Sequence, residues 1–117
     1  MNEHEKMNYV EFPAKDLQSV KEFFSSVFAW KFTDYGPEYT AFSDEGLNGG
    51  FYKSDKSSST TNGATLVVFY SNSLEKTYTK IKNSSGKIIQ EIFEFPGGRR
   101  FHFSDPCGNE YAVWSDR

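Results

Sequence analysis

Glu11 and His102 are the residues best suited to chemistry. A carboxylate beside an imidazole makes an acid–base pair, because histidine titrates near neutral pH. Strand alternation indicates where each side chain points. Beside Glu11, Val10 and Phe12 suit a helix-packed face, which turns Tyr9 and Glu11 the other way. Beside His102, Phe101 and Phe103 suit a core, which turns Arg100, His102 and Ser104 to the opposite face. A structural reading competes for both residues. Glu11 can be the ion-pair partner of Arg100 or another arginine, since a buried carboxylate needs one. His102 can be a histidine satisfied within the fold. Glu110 is a further acid, either inward-facing or solvated at a strand edge. Cys107 sits in a turn and carries no argued reactivity. His4 lies in a polar N-terminal segment. Trp30 and Trp114 read as packing residues, although Trp114 can stack a planar ligand.

The elements that would position these residues occur twice. Phe42-Ser43-Asp44 reappears as Phe103-Ser104-Asp105 at an offset of 61, and Asn48 falls on Asn109 at that offset. Asp16-Leu17 matches Ser73-Leu74, and Trp30-Lys31-Phe32 matches Lys87-Ile88-Ile89, at an offset of 57. A fixed repeat sets architecture before any single residue does. Each copy, at roughly 50 residues, is too short to bury a good core alone. The expectation is one α+β domain of two tandem βαβββ units, pseudo-twofold symmetric, with a curved mixed sheet around a cleft. The first unit covers residues 8–53, a linker 54–63, and the second unit 64–116.

Within the first unit, Asn8 to Pro13 reads as a strand. Asp16 caps a helix whose apolar face carries Leu17, Val20, Phe24, Val27 and Phe28. Trp30 to Thr33, Tyr39 to Ser43 and Gly49 to Tyr52 supply three more strands. The linker holds Ser57-Ser58-Ser59-Thr60-Thr61-Asn62, with no apolar anchor, and is expected to be mobile. Ala64 to Tyr70 starts the second unit. Ser73 caps a helix with Leu74, Tyr78 and Ile81 on one face, and Gly86 is placed to end it in a left-handed conformation. Ile88 to Ile92, Arg100 to Ser104 and Glu110 to Trp114 complete the unit. Asp105-Pro106-Cys107-Gly108 fits a type I turn.

Composition excludes some functions. The 117 residues suit one domain, and 12 Phe, 7 Tyr and 2 Trp can fill a core. A net charge of -3 and scattered lysines give no basic stripe, so no nucleic-acid partner is expected. No apolar run is long enough to cross a bilayer. One cysteine and a charged N-terminal segment without signal-peptide character point to a cytoplasmic protein.

The two units, Val10-Glu11-Phe12-Pro13-Ala14-Lys15-Asp16-Leu17, Phe28-Ala29-Trp30, Pro96-Gly97-Gly98 and Asp105-Pro106-Cys107-Gly108-Asn109 together resemble one superfamily. It is the glyoxalase / bleomycin-resistance / dioxygenase superfamily, also called vicinal oxygen chelate proteins. The resemblance implies the paired-unit fold but no single activity. Ala29 departs from the usual Gly, which fits if the helix end avoids a positive φ.

The resemblance also implies four metal-ligand positions, usually two His and two Glu. They fall here on Tyr9, Phe51, Leu66 and Ala112. Phe51, Leu66 and Ala112 lack side-chain donors, and a phenol such as Tyr9 is a poor ligand for zinc or nickel. No metal and no other cofactor are therefore expected. If those four positions face the cleft, so do their i±2 neighbours. The expected ligand-binding set is Tyr9, Phe51, Leu66, Val68, Arg100, Glu110, Ala112 and Trp114. Three functions follow. The first is a small-molecule binding protein taking an aromatic or amphipathic ligand. The second is a metal-independent lyase or isomerase using Glu11 and His102. The third is a non-catalytic dimer with a vestigial cleft. Superfamily members are often homodimers, and that state is expected here.

Overall fold

The computed structural model describes residues 2–117. It divides into two compact units between Ser57 and Ser58. The first holds β1 (Tyr9–Ala14), α1 (Leu17–Phe28), β2 (Phe32–Asp34), β3 (Tyr39–Phe42) and β4 (Asn48–Lys53). The second holds β5 (Val67–Tyr70), α2 (Leu74–Lys82), β6 (Lys87–Phe95), β7 (Gly98–Ser104) and β8 (Glu110–Ser115). The class is α+β, and βαβββ occurs twice in tandem.

The two sheets share one topology. Their strand orders are β1-β4-β3-β2 and β5-β8-β7-β6. In each, the first strand runs parallel to the last and the other pairs are antiparallel. The extra residues of the second copy lie in the longer β6, whose pairing with β7 is interrupted by register shifts around Gln90.

The first unit is held by aromatic packing under α1. The Asp16 carboxylate accepts from the Gln18 and Ser19 backbone N–H groups, satisfying donors that a helix start leaves free. Val20, Phe23, Phe24 and Val27 are buried; Phe23 extends the apolar face beyond the spacing that marked it. Phe24 stacks on Trp30 at 4.4 Å, and Trp30 meets Phe42 at 4.3 Å. Such pairs add about 1 kcal/mol each beyond the area they bury. Ala29 ends α1 with φ 60 and ψ 30. The helix end thus does adopt the positive φ that Ala29 was expected to avoid. Its N–H reaches the Ser25 carbonyl, so helix-terminal bonding holds a conformation in which Cβ is strained.

In the second unit, Leu74, Thr77 and Ile81 are the buried face of α2. Phe103 stacks on Tyr111 at 5.1 Å. The turn after β7 closes with Gly108 N–H donating to Asp105 O. The buried Asp105 carboxylate also accepts from Cys107 N, Asn109 N, Asn109 Nδ2 and the Tyr111 hydroxyl. Cys107, within this turn, is buried. Gly86 is not left-handed; α2 ends at Lys82 with Asn83 as its C-cap, and Gly86 N–H instead donates to Ser84 Oγ.

The Ser/Thr run is also anchored, contrary to the mobility expected of it. Thr60–Asn62 form a 3₁₀ turn capped by Ser59 and closed by Gly63 at φ 79. Polar anchors replace apolar ones: Ser58 N–H donates to Asn109 Oδ1, and Ser58 O accepts from Glu110 N. Among the described residues, no helix is long and apolar enough to cross a membrane.

Candidate functional site

The helix-free face of the second sheet carries the strongest cluster. Register places Arg100 opposite Trp114, His102 opposite Ala112 and Ser104 opposite Glu110 on β7 and β8. Val68 and Tyr70 of β5 continue this face beside Ala112 and Trp114. Gln90 and Phe93 of β6 continue it on the other side. Leu66, half-buried, lies one residue before β5.

His102 and Glu110 form a buried pair. His102 Nδ1 lies 2.8 Å from Glu110 Oε2, and the two residues are 9% and 6% exposed. Glu110 Oε1 accepts from Thr60 N, Thr60 Oγ1 and Ser59 Oγ at 2.9, 2.7 and 3.3 Å. Burial pushes the Glu110 carboxyl up. The hydrogen bonds from His102 and Thr60 outweigh that and bring it down to about 2. Glu110 is therefore ionised and can only accept, so the proton sits on Nδ1 and Nε2 of a neutral ring keeps its lone pair. His102 Nε2 is buried without a hydrogen-bond partner, and so is Arg100 Nε. The Arg100 guanidinium lies over Phe93 at 5.4 Å and Phe95 at 5.8 Å.

The first unit presents a different cluster. Tyr9 Oη and Tyr39 Oη are 2.6 Å apart, and Tyr39 donates to Glu11 Oε2 at 2.9 Å. Burial, followed by the bonds to Tyr9 and Glu11, pushes the Tyr39 phenol well above its ordinary value, so it stays a neutral donor. Tyr9, Lys31, Ala41, Asp44 and Asn48 line part of a groove of about 650 Å³ on this unit. Glu11 and His102 thus each bond to a different residue, Tyr39 and Glu110.

Phe51 needs correction. It is fully buried and packs against Phe12, Phe24, Phe32 and Phe42. Register explains why. Phe51 pairs with Phe12, whereas Gly50 pairs with Glu11 and Ala41. Ala112 holds the matching place in the second unit, between Val68 and His102. Gly50, not Phe51, is therefore the repeat mate of Ala112, because the chain from His102 to its partner Ala112 is one residue longer than the chain from Ala41 to its partner Gly50. A Cβ on Gly50 would sit 2.2 Å from Tyr39 Oη, so the phenol fills that space. The adjacent Gly49-Gly50, followed by a bulky Phe in an aromatic-rich unit, was the available signal.

The profile of the Glyoxalase/Bleomycin resistance protein/Dioxygenase superfamily matches residues 6–113. This chain belongs to that superfamily. Solved structures agree on the fold. A glyoxalase-related enzyme from Fulvimarina pelagi is 12% identical with TM-score 0.79, over 95% of this chain and 88% of its own. A lactoylglutathione lyase from Agrobacterium tumefaciens is 15% identical with TM-score 0.71, over 95% and 93%. A fosfomycin resistance protein from Listeria monocytogenes is 17% identical with TM-score 0.74, over 98% and 94%. A search of curated proteins gives no match.

The superfamily's metal positions can now be tested on the corrected register. They fall on Tyr9, Gly50, Leu66 and Ala112. Three of these have no side-chain donor, and Tyr9 Oη is bonded to Tyr39. Metal sites need several donors converging on one point. This set does not fit a divalent ion. Among the described residues, no group of three or more His, Cys, Asp or Glu could hold one elsewhere.

Proposed function

We propose that this superfamily member binds a small aromatic or amphipathic molecule on the helix-free face of its second unit, without the usual divalent metal. One observation carries the reading: two buried polar atoms without partners, His102 Nε2 and Arg100 Nε, share that face with Trp114, Val68 and Ala112. Apolar walls with sparse polar groups characterise small-molecule pockets. Buried polar atoms left unsatisfied cost energy that a ligand can recover. A screen of planar and amphipathic compounds by methyl NMR tests it. Binders should shift the Val68 and Ala112 methyl signals and quench tryptophan fluorescence. Shifts confined to the first unit's groove, at Ala29 and Ala41, would contradict it.

The His102–Glu110 pair favours a second reading, a metal-independent lyase or isomerase. His102 Nε2 takes a proton from a substrate carbon or oxygen acid, and ionised Glu110 stabilises the imidazolium until the proton returns. Glu11, bonded to Tyr39 in the first unit, takes no part in this step. Incubating a binder in D₂O is the test. His102→Gln should lower deuterium exchange about 10²-fold or more. Equal exchange in wild type and His102→Gln removes this reading.

A further inference from the structure

Arg100 is the cation on this face with no counter-charge. Each other arginine has an acidic or carbonyl partner: Arg99 pairs with Glu75 and the Arg117 carbonyl, and Arg117 with Asp116. The Arg100 side chain makes no hydrogen bond and no ion pair among the described residues, and its Nε is buried. What holds it is aromatic: the guanidinium lies against Phe93 and Phe95. Phe93 also touches the His102 ring, with centroids 6.0 Å apart. Phe95 touches Trp114 at 6.3 Å. The rings fix the plane of the guanidinium, so its donor edge is set in advance without spending its hydrogen bonds. Glu110 is committed to His102, Ser59 and Thr60. Four residues separate it in register from Trp114, the partner of Arg100, which is about 13 Å along a strand.

A partly buried charge needs an opposite charge. A fork of N–H donors beside aromatic rings matches a planar anion on an apolar body. We propose that the ligand of this face is an organic carboxylate with an aromatic or aliphatic body. Arg100 takes its carboxylate, Trp114 and Phe95 take its body, and His102 Nε2 lies two residues away on the same strand face to accept from a hydroxyl. This rests on the binding reading above and names its substrate class.

The test uses 2-naphthoate and its neutral isostere 2-naphthamide, with binding followed by tryptophan fluorescence and methyl NMR. Wild type should bind the acid about tenfold or more tightly over the amide. Arg100→Met keeps the packing and removes the donors. It should erase that preference by weakening the acid alone, and Arg100→Lys should recover only part of it. Thermal unfolding checks that both variants are folded. Equal affinity of wild type for acid and amide would overturn the carboxylate assignment and leave the binding reading standing. Equal loss of both probes in Arg100→Met would make Arg100 a packing residue and also overturn it. Binding of neither probe at millimolar concentration would overturn both.

Discussion

Glu110 is the residue on which the second unit's site turns. Its carboxylate accepts from two residues of the 3₁₀ turn and from His102. Removing it as Glu110→Ala strands those donors in a buried place, at a cost of about 3 kcal/mol; urea unfolding measures this, and a loss under about 1 kcal/mol would contradict the pairing. Its titration has a definite sign. The folded value of about 2 lies below the ordinary 4.5, so ionised Glu110 favours the folded state at every pH above 4.5. That contribution is lost as pH falls from 4.5 through about 2. Wild-type stability should therefore drop more steeply over this window than that of Glu110→Gln; parallel curves would refute the assignment. Little of this was legible. Alternation correctly put Arg100, His102 and Ser104 on one face, because Phe101 and Phe103 flank His102. The status of Glu110 was not readable as solvated or buried, since its partners Ser59 and Thr60 lie about fifty residues upstream. Long-range closure leaves no local pattern.

Among the elements, α1 was the most readable: Asp16 and the apolar spacing follow from helix geometry. Its far end shows what the chain tolerates. Ala29 in the left-handed region carries a steric penalty that glycine avoids. Ala29→Gly should stabilise the protein by about 0.5–1 kcal/mol, seen as a higher denaturation midpoint at unchanged slope. A lower midpoint would mean that the Ala29 methyl packs favourably enough to offset the strain. In β4, register decided what pattern could not. A one-residue slip flips every side chain, and one extra residue between His102 and Ala112, relative to Ala41 and Gly50, was enough to misassign Phe51. Its core position predicts about 3–5 kcal/mol lost in Phe51→Ala. An unchanged midpoint would restore Phe51 to the open face. The Ser/Thr run misled because it is fixed by hydrogen bonds rather than by apolar burial.

Across the whole molecule, the repeat was legible because both copies reuse one strand order and one pairing scheme. The superfamily followed from that, and an activity did not, since the scaffold hosts many. Homodimer formation remains our proposal. Ile89, 54% exposed on the outer strand β6, is the kind of apolar surface a second copy would cover. Light scattering at micromolar concentration should then give twice the chain mass, and a monomer would reject it. The central claim is binding without the superfamily's divalent metal. Its most direct test is elemental mass spectrometry of untagged protein purified without added metal. The residues at Tyr9, Gly50, Leu66 and Ala112 predict less than about a tenth of an equivalent of any transition metal per chain. A stoichiometric transition metal would contradict the account.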